Sequence, residues 1–175
     1  MDENYFKNEN KEDFSVNQVS GAKSTWIESP VWRNRTLRFS FEEIEMPDVG
    51  EYMGLYSIGA YDRLNSWLYG GITLYGAATG RRGGFFTGGY TLGLEGKLAD
   101  NWILDAGGYV GAGGGGAAAQ GGGLMIRPHI GIKYDFNWSV IGLNYSYVDF
   151  PNGEFSSDAI GLSLDIPFTS PTLNW

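Results

Sequence analysis

Hydrophobic and polar residues alternate with a period of two along most of the chain after residue 34. Leu37 and Phe39 fall on one face of a strand, for example, while Arg38 and Glu42 fall on the other. Successive side chains of a β-strand point to opposite faces, so this alternation predicts strands and not helices. We count eight such segments, at residues 34–46, 52–62, 66–78, 87–98, 101–112, 122–135, 138–148 and 157–168.

The connections between these segments alternate in length. Tight turns are expected at 62–65, 98–101 and 135–137, and longer connections richer in Gly or Pro at 47–51, 79–86, 112–121 and 149–156. Short turns at one end and long loops at the other are typical of barrels in the bacterial outer membrane. We therefore predict an all-β fold, an eight-stranded antiparallel up-and-down transmembrane β-barrel at 34–168. An extended periplasmic arm at 1–33 would precede it and a tail at 169–175 would follow.

The position of the charged residues favours a membrane barrel over a soluble one. A soluble barrel is apolar inside and charged outside, whereas a membrane barrel reverses this arrangement. The strand charges between residues 66 and 134 lie opposite the aliphatic positions, and they are Glu95, Lys97, Asp105, Arg127 and Lys133. They are too few to solubilise an outer wall but can pair inside a narrow lumen. Aromatic residues cluster near the expected strand ends, as in the interfacial girdles of such barrels, at Trp67, Phe85, Phe86, Trp102, Phe136, Trp138, Phe150 and Phe155.

The composition narrows the possible chemistry. Of 175 residues 28 are glycine, charged residues make up 18%, and the net charge is −8. An acidic chain lacks the basic surface that nucleic-acid binding requires. The chain has no cysteine and one histidine, His129, which excludes thiolate chemistry and a multi-histidine zinc site. We expect no metal and no cofactor.

Residues 144–168 (NYSYVDFPNGEFSSDAIGLSLDIPF) resemble the outer-membrane lipid A 3-O-deacylase family. The last hairpin of that family carries a His-x-Ser-Asn motif, followed about a dozen residues later by an acidic residue. Weaker similarity extends to ILDAGGYVGAG at 103–113 and IGIKYDF at 130–136. The resemblance implies an eight-stranded barrel in which Ser146 is the acyl nucleophile and Asp158 orients the base. Asn144 occupies the position of the base, and Tyr147 replaces the motif asparagine.

Asparagine cannot accept a proton at neutral pH, so the base of any reaction has to come from elsewhere. A turn after Asp135 pairs the sixth and seventh segments so that paired positions sum to about 273, which puts His129 almost opposite Asn144. Alternation instead groups His129 with the inward-facing Arg127 and Lys133. His129 is therefore either a relocated base for Ser146 or a hydrogen-bonded histidine of a polar lumen. Ser146 is either the nucleophile or an ordinary strand serine.

Two loop segments each have two interpretations, and one proline predicts a local irregularity. Arg81 and Arg82 in a long loop are either solubilising residues or contacts to lipid A phosphates. The glycine-rich segment 111–123 is either a flexible loop or a smooth surface that another chain or a lipid approaches closely. Pro128 lacks a backbone N–H and suggests a bulge in the sixth strand.

Two functions follow from these residues. The missing motif histidine favours a non-catalytic outer-membrane barrel that anchors or scaffolds an envelope assembly. Its expected partners are outer-membrane lipid or lipopolysaccharide, and a protein held through residues 1–33 or 111–123. The alternative is a lipid A 3-O-deacylase, a serine esterase with an altered triad of Ser146, Asp158 and His129.

Overall fold

The computed structural model describes residues 31–46, 50–80, 84–115, 121–153 and 156–172. They form one closed barrel of eight antiparallel strands in sequence order, which confirms the predicted fold class. The strands are β1 Val31–Met46, β2 Glu51–Arg63, β3 Leu68–Thr79, β4 Phe86–Lys97, β5 Trp102–Gly114, β6 Leu124–Asp135, β7 Val140–Asp149 and β8 Ser156–Thr172. The described residues contain no helix long and apolar enough to cross a membrane.

The first and last strands close the barrel against each other. Their register runs from Val31 opposite Thr172 to Ile44 opposite Ala159. Both strands extend beyond the predicted barrel bounds of 34 and 168, so residues 31–33 and 169–172 pair within the sheet. Residues 1–30 of the predicted arm and 173–175 of the predicted tail lie outside the described residues.

The two ends of the barrel differ in the connections that they carry. We call one the turn end, because residues 64–67, 98–101 and 136–139 form its short connections, and the other the loop end. At the turn end, the Asn65 side-chain oxygen accepts hydrogen bonds from the backbone N–H groups of Trp67 and Leu68. Asn137 has a φ of 69°, a left-handed conformation that asparagine tolerates better than most residues. These asparagines fix the tight turns.

Glycines let aromatic side chains lie flat against the inner wall. A Cβ on Gly93 would come within 2.3 Å of the ring of Tyr69, and one on Gly111 within 2.0 Å of the hydroxyl of Tyr109. Both tyrosines are buried. In a narrow barrel filled by its own side chains, the glycines, which have no side chain, thus leave space for the large tyrosine rings.

Pro128 does not create the bulge expected in β6. Paired positions of β6 and β7 keep the same register on both sides of it, with Ile126 opposite Asp149 and His129 opposite Ser146. Pairing with β5 is also continuous through Gly108 opposite Pro128. The proline is accommodated without an inserted residue, because the one ladder hydrogen bond that its missing N–H removes costs less than a change of register, which would turn every following side chain to the other face.

Candidate functional site

Inward-facing charges near the turn end form one connected set, which we call the turn-end network. It consists of Arg38, Arg63, Glu95, Asp105, Lys133 and Asp165. Arg38 binds Asp165 through two hydrogen bonds of 2.7 and 2.9 Å. The Lys133 ammonium lies 2.6 Å from Glu95, 2.8 Å from Asp105 and 3.1 Å from Asp165. Three basic groups face three carboxylates, so the network is internally neutral. Arg63, at its edge, is the exposed member.

A second ion pair lies further toward the loop end. Arg127 of β6 donates to Glu42 of β1, with Nε 2.9 Å from Oε1 and Nη2 bonded to Oε2. The Ser146 hydroxyl also donates to Glu42 Oε2, at 3.2 Å. Glu42 and Ser146 are each 1% exposed. The predicted nucleophile is therefore a buried hydrogen-bond donor to a carboxylate that an arginine already neutralises.

Apolar side chains fill the loop end of the lumen and separate both ionic groups from that end. This apolar cap comprises Ile44, Met53, Leu55, Phe85, Met125, Val148, Phe150 and Ala159. The rings of Phe85 and Phe150 meet edge to face with centroids 6.0 Å apart. These two residues were expected in the interfacial girdle, and that expectation is wrong, because both are buried inside the barrel. Phe155 lies outside the described residues.

The structure pairs His129 with Ser146 across β6 and β7. The paired positions sum to 275 and not to about 273, so His129 stands opposite Ser146, and Gly131 opposite Asn144. Both side chains face the lumen, in agreement with the alternation. Their polar atoms nevertheless bind different groups. His129 Nε2 lies 3.3 Å from the Tyr69 hydroxyl and 3.6 Å from Asp105, whereas Ser146 donates to Glu42.

Asp158 does not join the other two residues of the predicted triad. It lies on β8 with its side chain on the outer face, where its carboxylate accepts a 2.6 Å hydrogen bond from Tyr145. Ser146 and His129 are on the inner face. The barrel wall thus separates Asp158 from both, and it does not orient His129 in this structure. Asp105 occupies the place beside His129 instead.

The remaining predicted site residues lie partly outside the described chain. Arg81 and Arg82 fall outside the described residues. Of the glycine-rich segment 111–123, residues 111–114 belong to β5, and 116–120 are likewise outside the described part. Among the residues that the structure describes, no cluster of three His, Asp or Glu side chains is arranged to hold a metal ion.

The outer wall has the opposite polarity to the lumen. Its exposed side chains in the middle of the strands are almost all apolar, and they include Phe39, Ile72, Leu92, Leu104, Ile132, Leu143 and Leu162. Exposed tryptophans mark the turn end, at Trp32, Trp67, Trp102 and Trp138. An apolar outer surface around a charged, self-paired interior is stable only when the surface faces hydrocarbon. The chain therefore belongs to the class of eight-stranded transmembrane β-barrels.

The comparison with known proteins concerns the fold alone. No family model matches the chain, and no curated protein matches it. Among solved structures, a de novo designed transmembrane β-barrel is similar with a TM-score of 0.54 at 7% identity, covering 80% of this chain and 99% of the designed one. The outer membrane protein Ail of Yersinia pestis gives 0.48 at 13% identity, covering 78% and 99% of the two chains. Neisserial surface protein A gives 0.46 at 12% identity, covering 78% and 95%.

Sequence reasoning did not identify the pairing partners in the lumen. Alternation places Arg38 and Glu42 on the polar face of their strand, but nothing in one strand indicates which charge on another strand each of them meets. The apolar cap was not predicted either. A signal for it exists, since Ile44 and Met125 stand at the same alternate positions as the inward-facing Glu42 and Arg127.

Proposed function

We propose that this chain is an integral protein of the Gram-negative outer membrane that acts without catalysis, as an anchor or scaffold in the envelope. The observation that carries the proposal is the occupied lumen. The Ser146 hydroxyl is committed to Glu42, and the apolar cap lies between it and the loop end. Among the described residues, the cap blocks the approach of an acyl ester to this serine from the loop end. The remaining working surfaces are the outer wall, the loops and the segment at 1–33.

The scaffold proposal is tested by asking whether the chain still binds an envelope partner when its N-terminal segment is removed. Envelope proteins crosslinked to the full-length chain are compared with those crosslinked to a variant lacking residues 2–29. We expect barrel assembly to be unchanged and specific crosslinks to be lost. Unchanged crosslinks after the deletion would contradict a role for this segment.

The alternative function is that of a lipid A 3-O-deacylase. The observation that favours it is the β6–β7 register, which places His129 directly opposite Ser146. Lipid A is extracted from cells with and without the protein and analysed by mass spectrometry. The scaffold proposal predicts identical acylation and no labelling of the purified barrel by a fluorophosphonate. An acyl chain whose loss depends on Ser146, with labelling abolished by Ser146→Ala and by His129→Ala, would establish the esterase instead.

A further inference from the structure

An open apolar groove of about 350 Å³ crosses the outer face of β5 to β8. Its outward-facing side chains are aliphatic except for one tyrosine, and they are Leu104, Ile130, Ile132, Leu143, Tyr145 and Ile160. Gly131 and Asn144 complete the lining, and the Asn144 amide donates to Ser163 inside the barrel. Its volume is within the range of ligand pockets, about 300–1,000 Å³. Because this wall faces hydrocarbon, the chemistry that fits the groove is a lipid acyl chain.

The groove ends at a polar group that also faces outward. Tyr145 lines the groove, and its hydroxyl donates to Asp158 Oδ1 at 2.6 Å. Tyr147 stands directly opposite Asp158 in the β7–β8 register, so their side chains are neighbours on the same face. An ionised carboxylate offers about four acceptor sites, and the bond from Tyr145 uses one of them. Asp158 therefore retains the capacity to accept from a ligand.

The charges around this group determine whether a cationic or an anionic ligand fits it. β7 and β8 contain no lysine or arginine along their whole length. On β1, the residue opposite Ile160 is Glu43, which is also exposed. Two carboxylates, with no lysine or arginine on the described residues of β7 and β8, repel anionic headgroups. A carboxylate flanked by tyrosine rings is instead the combination that attracts an ammonium ion, through a charge-assisted hydrogen bond and cation–π contacts.

We propose that the groove and the group formed by Tyr145, Tyr147 and Asp158 bind a phospholipid with an ammonium headgroup, its acyl chain along Ile130 and Ile132 and its ammonium at Asp158. The site gives a role to Asp158, whose carboxylate faces outward, away from Ser146 and His129. The inference rests on the membrane placement in the proposed function, but not on the scaffold role.

Native mass spectrometry of the refolded full-length barrel tests the site. The protein is mixed with equal amounts of phosphatidylethanolamine and phosphatidylglycerol that carry identical acyl chains. We expect phosphatidylethanolamine to be retained about fivefold over phosphatidylglycerol, which corresponds to about 1 kcal/mol. Asp158→Asn should reduce the ratio to near one. Asp100→Asn, which removes the same charge from the turn 98–101, should keep the wild-type ratio.

Filling the groove gives a second, independent variant. Ile130→Trp should lower the retention of both lipids, whereas Ile72→Trp, at another exposed position of the outer wall, on β3 and outside the groove, should not. Equal retention of the two lipids by the native barrel, or a preference that survives Asp158→Asn, would overturn the site. Insertion into vesicles is measured on the same samples. A barrel that inserts but shows no lipid preference contradicts this inference alone, while one that fails to insert contradicts the membrane placement.

Discussion

At the scale of single residues, the packing between Gly93 and Tyr69 holds the turn-end network in place. The Tyr69 hydroxyl donates to Asp105 at 2.9 Å, accepts from Arg38 at 3.1 Å, and lies 3.3 Å from His129 Nε2. Its ring rests where a side chain on Gly93 would be. The glycine is required for the space it leaves, and its backbone conformation is an ordinary extended one.

We expect Gly93→Ala to destabilise the barrel by about 1–3 kcal/mol, the usual cost of overpacking a tight interior. The new methyl group would displace Tyr69 from its three partners. Gly96→Ala on the same strand should change stability by less than about 0.5 kcal/mol, because its Cβ would meet nothing within 4 Å. Urea unfolding in phospholipid vesicles measures both. Equal stability of the two variants would show that Tyr69 moves aside without loss.

At the scale of elements, alternation was sufficient to predict all eight strands but not how two strands align. The register of β6 and β7 depends on the turn between them. A turn placed at 135–137 gives sums near 273, whereas the actual turn at 136–139 pairs Asp135 with Val140 and gives 275. The side-chain period is two, so this shift kept every residue on its predicted face while changing the partner of His129 from Asn144 to Ser146. Faces follow from local sequence, but partners depend on turn geometry.

The ion pair between Glu42 and Arg127 joins β1 to β6 across the lumen. Removing one partner leaves a buried, unpaired charge, so we expect Arg127→Leu to cost about 3–5 kcal/mol. The double variant Glu42→Leu/Arg127→Leu should recover much of that loss, because no charge is then left unpaired. Unfolding free energies of the two single variants and the double variant form a thermodynamic cycle. Additive losses would contradict a coupled pair.

At the scale of the whole molecule, polarity changes along two directions. Across the wall it changes from a charged lumen to an apolar exterior. Along the barrel axis, the lumen changes from the turn-end network to the apolar cap. The first change was predictable, because it is the alternation itself. The second was not, because an occasional apolar residue at an inward position looks like an irregularity until eight strands bring such residues together at one end.

The four exposed tryptophans at the turn end should report one shared depth in the bilayer. We expect their fluorescence to be quenched more by lipids brominated near the headgroup than by lipids brominated deep in the acyl chain, since tryptophan prefers the interface. The measurement uses a background in which Trp26 and Trp175 are replaced by Phe. Leu92→Trp, at the middle of the outer wall, should add a component with the opposite preference. Deep quenching of the native tryptophans would contradict this placement.

The seam between β1 and β8 has a consequence for how the chain can be connected. Val31 stands opposite Thr172 where the first and last strands meet, and every other pairing joins strands that are consecutive in the sequence. Covalent order and spatial order therefore coincide, and no strand is structurally first. A circular permutant that links 172 to 31 and opens the chain within 98–101 would keep every ladder, the neutral lumen and the same tryptophan-lined end for its new termini. The information that specifies this barrel lies in the cyclic order of its hairpins, whichever of them is synthesised first.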